Sequence, residues 1–142
     1  MSVLRVQWVH LMVEGNTCPR CAETGQEVER AIHWLQQALS PLGFKVEFEE
    51  VELTPEEFSR NPLRSNEIWL NGRLLEDWLE ATTTQTQCCD VCGDADCRAV
   101  EVGEKIHEVI PAELIVKAGL IAISQAMGRD RSCCARESSC CL

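Results

Sequence analysis

The feature that most constrains this chain is the junction between its first two segments. Val3 to Val13 is rich in β-branched and large apolar residues on both strand faces, as a central strand requires. Gly15 and Asn16 break that run, and C-P-R-C follows at 18–21. From Ala22 to Leu39 the apolar positions Val28, Ala31, Ile32, Leu35 and Leu39 recur at helical spacing, with Glu and Gln between them. The opening of the chain therefore reads as a βα unit with two thiols at its corner.

That placement matters for the sulfur. Cys18 falls at the junction and Cys21 in the first helical turn, where free backbone N–H groups and the helix dipole stabilise a thiolate, and Arg20 adds positive charge. In redox use Cys18 is the nucleophile and Cys21, about one turn away, resolves the mixed disulfide. The same two thiolates can instead clamp a soft metal ion, or both residues can be buried as small hydrophobes. The spacing favours thiol chemistry and does not choose its kind.

The remaining elements follow in order. Pro41 and Gly43 end the first helix, and Phe44 to Leu53 alternates as a strand whose phase shifts at Glu49-Glu50, where a bulge is expected. Thr54-Pro55-Glu56-Glu57 is a helix start. Asn66 to Leu70 is a short strand, Asn71-Gly72 a hairpin turn, and Arg73-Leu74 the return. A helical turn is expected over Leu75 to Leu79, then a polar linker or mobile loop over 81–87. Arg98 to Ile110 reads as a hairpin turning at Gly103. Pro111 opens a helix to Met127 that is apolar on most sides, hence deeply buried or half of a subunit contact, a homodimer through 111–127. Trp34, Trp69 and Trp78 are assigned to the core, and His10, His33 and His107 to packed or surface positions.

Ten of the 142 residues are cysteine. Cys88, Cys89, Cys92 and Cys97 form CC-x2-C-x4-C, a compact set that suits a soft ion, as in S₄ coordination, or zinc. One of them exchanging with the Cys18–Cys21 pair across the domain is a second use. Cys133, Cys134, Cys140 and Cys141 lie on a tail, 128–142, without periodicity, expected to be disordered and to supply auxiliary thiols. The tail resembles the vicinal-cysteine tails of mercury-handling enzymes in two residues. A net charge of −10, with no clustered Lys or Arg, argues against nucleic acid and anionic membrane surfaces as partners. Arg5, Gln7 and His10 interrupt the N-terminal apolar run, and no stretch reaches the roughly 18 apolar residues of a spanning helix. The expected setting is cytoplasmic, with reduced thiols.

The leading strand, C-P-R-C at a helix start, a second strand and then SNEIWLNGRLLE resemble the thioredoxin and glutaredoxin layout. Within that family a cis-proline faces the dithiol, and here its position falls on Asn66. The family's proline guides substrate backbones and hinders metal capture, so the resemblance implies that Asn66 relaxes both. Up to the tail, the chain also resembles an uncharacterised group of thioredoxin-like proteins, a domain of unknown function with a front CxxC, a later segment like CCDVCGDADCR and a proline-started helix. The expected architecture is an α/β, thioredoxin-like three-layer sandwich over 1–127, with a Cys-rich insertion at 81–97. The expected function is binding or exchange of soft ions of the Cu(I), Hg(II), As(III), Cd(II) class through Cys18, Cys21 and the second cluster. The alternatives are a thiol–disulfide oxidoreductase acting on a protein disulfide or thiol partner, and a structural zinc-loop interaction module.

Overall fold

The computed structural model describes residues 2–12, 19–87 and 96–129. Strand β1 (Ser2–Leu11) lies inside a four-stranded sheet. It pairs in parallel with β2 (Phe44–Leu53) along its whole length and antiparallel with β3 (Ile68–Leu70), which pairs with β4 (Arg73–Leu74). The order is β2-β1-β3-β4. A parallel β1–β2 pair demands a long crossover, supplied by helix α1 (Pro19–Leu39). Helix α4 (Ala112–Arg129) packs beside α1 and against β1 and β3. The arrangement is consistent with a thioredoxin-like α/β sandwich.

The α1 layer approaches β1 closely because one residue lacks a side chain. A Cβ built on Gly25 would lie 2.5 Å from Cη2 of Trp8, which is itself buried. Leu4, Val6, Val28, Leu35 and Ile115 complete the core around this contact, all fully buried. Polar groups fasten the start of α4 to α1. The Ala112 N–H, at the α4 N-terminus where backbone donors lack helical partners, donates to Glu27 Oε1 at 3.0 Å, and the Ile110 N–H donates to Thr24 Oγ1 at 3.4 Å. The Ala112 bond, with help from Arg30, holds the Glu27 carboxyl below the ordinary glutamate range, against the opposing pull of burial.

After β2, Thr54 caps helix α2 (Pro55–Arg60) in a full capping box with Glu57. A 3-10 turn, Pro62–Arg64, leads to β3, and helix α3 (Leu75–Leu79) follows β4. Asn71 and Gly72 both take positive φ, 51° and 81°, as the two-residue hairpin requires.

A second sheet, order β5-β6-β7, comprises β5 (Thr82–Gln87), β6 (Asp96–Val102) and β7 (Lys105–His107). Residues 82–87 are therefore a strand, not the expected linker or loop. Threonine tolerates the pleated backbone well, and antiparallel pairing of Thr82–Gln87 with Asp96–Glu101 satisfies one edge of the segment. The segment 81–97 thus begins and ends in strand, and residues 88–95 lie outside the described residues. The bulge expected at Glu49-Glu50 is absent, since the β1–β2 register runs unbroken from Ser2↔Phe44 to Leu11↔Leu53. The phase shift instead marks which face is covered: Val46 is buried on one face and Leu53 on the other. Trp78 is in the core as expected, while Trp34 is 40% exposed and makes a cation–π contact with Arg30. Helix α4 runs to Arg129, two residues past the expected end, with Leu120 and Met127 exposed on its outer face. Among the described residues, no helix is long and apolar enough to cross a membrane.

Two outcomes are expected from this packing. Gly25→Ala forces Trp8 or α1 to move and destabilises the fold by about 1–3 kcal/mol in urea denaturation, as overpacking does elsewhere. Glu27→Gln lowers stability by about 1 kcal/mol at neutral pH. Because the folded carboxyl titrates below its unfolded value of about 4.3, that contribution is present above this pH and fades as pH falls through the folded value. Urea midpoints of the two proteins should therefore converge in acid.

Candidate functional site

The start of α1 places Cys21 fully buried under the sheet, with its sulfur 3.2 Å from Ser65 Oγ. Ser65 is itself buried, positioned by its N–H bond to Pro62 O at 3.2 Å at the end of the 3-10 turn. Asn66, the next residue, sits in the left-handed region at φ 67°. Its N–H donates to Val9 O at 2.7 Å, and Trp8 Nε1 donates to its Oδ1 at 3.2 Å. Asn66 therefore ties the Ser65 turn to β1 beside Cys21. Its side-chain nitrogen is buried and has no hydrogen-bond partner among the described residues.

His10, 2% exposed, extends this floor. Its ring stacks on Trp8 at 4.0 Å between centroids, and among the described residues neither ring nitrogen finds a hydrogen-bond partner. A Glu50 carboxylate oxygen lies 3.5 Å from Nε2, inside ion-pair range but outside hydrogen-bonding geometry. A histidine in a β-rich apolar run reads as ordinary packing, and only the fold shows that its neighbour Val9 is the backbone partner of Asn66.

Arg20, between the two cysteines of C-P-R-C, does not project into solvent. Its guanidinium donates to the carbonyls of Arg98 at 2.7 Å, Glu108 at 3.1 Å, Gln87 at 3.3 Å and Cys97 at 3.4 Å, and pairs with the Glu108 carboxylate at 3.5 Å. In sequence, Gln87 and Arg98 flank the second cysteine cluster on its two sides. Arg98 makes the return connection. Its side chain, nearly buried, donates to Leu63 O at 2.6 Å, to Glu67 Oε2 at 3.3 Å and to Thr83 Oγ1 at 3.1 Å, and closes on the Glu76 carboxylate. Thr83 Oγ1 also donates to Glu76 at 2.7 Å. A buried guanidinium is tolerated because charged and neutral acceptors occupy its donors. Cys97, 1% exposed, is in a disulfide.

Of the residues expected to carry function, the fold brings Arg20, Cys21, Asn66 and Cys97 to one region, with Ser65, His10 and Arg98 beside them. Sequence reading missed Ser65 and Arg98. Ser65 carried no motif beyond its place next to Asn66, and Arg98 was read as the start of a hairpin. Cys18, Cys88, Cys89, Cys92, Cys133, Cys134, Cys140 and Cys141 lie outside the described residues. Among the described residues, no three His, Cys, Asp or Glu side chains gather in a metal-binding cluster. A disulfide sulfur is not a thiolate donor, so any ligand role for Cys97 begins with its reduction.

Arg98→Met leaves the Glu76 carboxylate buried with the Thr83 hydroxyl and without its cation. The expected loss is about 3–5 kcal/mol in urea denaturation, as for other buried pairs stripped of one partner.

Residues 4–119 match the family model described as "Domain of unknown function (DUF2703)". An uncharacterized protein of Archaeoglobus fulgidus is 62% identical over 112 residues, which cover 79% of this chain and 82% of that protein. No solved structure gives a significant match. With its family model spanning both sheets and the start of α4, the chain belongs to the DUF2703 family.

Proposed function

We propose that this protein is a thiol carrier of the thioredoxin-like superfamily that captures and passes on soft metal or metalloid ions. The ions are of the Cu(I), Hg(II), As(III), Cd(II) class, which thiolates prefer over harder cations. The observation that carries this reading is the reach of Arg20. A residue from within C-P-R-C bonds the carbonyls of Gln87 and Cys97, so the two cysteine-bearing segments meet at one place. Cys18 and Cys21 are the primary donors, and Cys88, Cys89, Cys92 and, once reduced, Cys97 extend the donor set. Asn66, in the position of the family's proline, leaves the approach to the dithiol without a ring that hinders ion capture. The acidic character of the chain favours a cationic guest.

A second reading is a dithiol oxidoreductase, in which Cys18 attacks a partner's disulfide and Cys21 resolves it. Its support is the placement of Cys21 in the first turn of α1, in the same buried cluster as a disulfide-bonded Cys97.

Anaerobic titration of fully reduced protein with Cu(I) or arsenite, followed by native mass spectrometry, separates the two. The expected result is stoichiometric uptake that Cys21→Ser weakens by about tenfold or more, the scale of losing one ligand-level interaction, together with no insulin-type disulfide reductase activity. Uptake no higher than background, with a reductase activity that Cys18→Ser abolishes, overturns the carrier reading.

A further inference from the structure

We propose that the outer faces of α1 and α4 form a two-fold interface with a second copy of this chain, with Leu120 near the axis. Six large apolar side chains stand exposed among the described residues, and four of them, Trp34, Leu42, Leu120 and Met127, lie on this one face. The other two, Phe48 on β2 and Ile106 on β7, stand apart from it. Single exposed apolar residues are ordinary, whereas a cluster of them marks a contact surface. The cluster follows from how the helices pack. Glu27 meets Ala112 and Leu35 meets Gly119, so α1 and α4 run side by side in the same direction. On their solvent side, Trp34 and the Val116 and Leu120 side chains line an open groove of about 620 Å³. A second hollow of about 430 Å³, reaching Leu42 and Met127, continues it, and Leu120 and Ser124 line both.

Charge, shape and size point to a second copy as the occupant. The chain carries a net charge of −10, and β2 alone sets Glu47, Glu49, Glu50 and Glu52 against Lys45. The charged residues lining the two hollows are Glu113 and Lys117, one of each sign. Copies that repel one another over an acidic surface therefore meet here without that repulsion. In shape, Val116, Leu120 and Met127 follow one another along α4 at the spacing a helix offers to a groove. The same helix is also a wall of the groove, so one chain holds both halves of the contact, as an isologous interface requires. In size, helices of 21 and 18 residues, each about 27 Å or more long and about 10 Å wide, present on the order of 500 Å² in projection. Side-chain relief brings that near the roughly 600 Å² per partner at which stable interfaces begin. A small apolar ligand fits less well, because an open groove leaves much of it in water. Cys21 precedes Trp34 by 13 residues along α1, about 20 Å, so each copy keeps its thiol region clear of the contact.

The test uses full-length protein kept reduced, so that no disulfide between chains contributes. Sedimentation velocity from about 1 to about 100 μM should show a reversible monomer–dimer equilibrium with a micromolar Kd, the weak end for interfaces of this size. Leu120→Glu and Leu120→Lys each set like charges against one another at the axis and should weaken dimerisation by about tenfold or more. At a position 44% exposed, neither should change the circular dichroism spectrum or the urea midpoint by much. Mixed in equal amounts, the two variants should pair again as a heterodimer in native mass spectrometry, because opposite charges now face across the axis. Met127→Lys, at a position 40% exposed, should weaken the dimer in the same direction and decides the matter if the Leu120 variants fail to fold. Wild-type protein that stays monomeric throughout overturns the proposal, including one whose groove instead takes up the apolar probe anilinonaphthalene sulfonate. A dimer that keeps its strength in Leu120→Glu and Met127→Lys overturns it as well, and so does a Glu–Lys mixture that fails to pair.

Discussion

Two guanidinium groups, the half-buried one of Arg20 and the buried one of Arg98, determine how the second sheet meets the first. The four-stranded sheet and its helices build an apolar core on Leu4, Val6, Val28 and Leu35, which Cys97 and Val100 of β6 join. The second sheet has a narrower attachment, in which β6 runs past the turn that carries Ser65 and is pinned there from both directions. Arg20 reaches out of α1 to the β6 backbone, and Arg98 reaches back from β6 to the backbone of the 3-10 turn and to two carboxylates. Such contacts are directional where apolar packing is not. Guanidinium donors have a fixed fork geometry and find their acceptors in one relative placement of the two sheets. The desolvation of two arginines is offset only if that placement is reached, so the polar contacts specify the docking more than they strengthen it.

Much of this architecture was legible in the sequence because it depends on local rules. The apolar β1 run, the helical period after C-P-R-C, the Thr54 cap and the Asn71-Gly72 turn each follow from the preferences of a few neighbouring residues, and all four stand where those preferences place them. The misreadings share a cause. Strand β5 is polar on both faces and owes its form to pairing with β6 across a span of sequence that no local pattern encodes. The phase shift in β2 was read as backbone irregularity, whereas it reports coverage of opposite faces at the two ends of a regular edge strand. Trp34 looked like core filler because an aromatic on a helix usually is, but its surroundings leave it half open beside Arg30.

The site was legible in its atoms and not in its assembly. Cys21, Arg20 and Asn66 could each be named from spacing or from the family layout. Nothing in the sequence joined Arg20 to Cys97, 77 residues away, or Cys21 to Ser65, 44 residues away. His10 shows the same limit from another side. Its burial against Trp8 with neither ring nitrogen hydrogen-bonded among the described residues is a property of the packed layer and not of local sequence, and such polar groups are costly in an interior.

The adjacency of Cys97 and Arg98 on β6 has a further consequence. Successive residues of a strand face opposite ways, so this strand presents sulfur to one side and a cation to the other. A slip of a single residue in the pairing of β6 with β5 would exchange them, putting a guanidinium where the disulfide belongs and a cysteine against Glu76. Mispaired chains would thus be separated from correctly paired ones by charge burial, before any finer packing of the second sheet could discriminate between them.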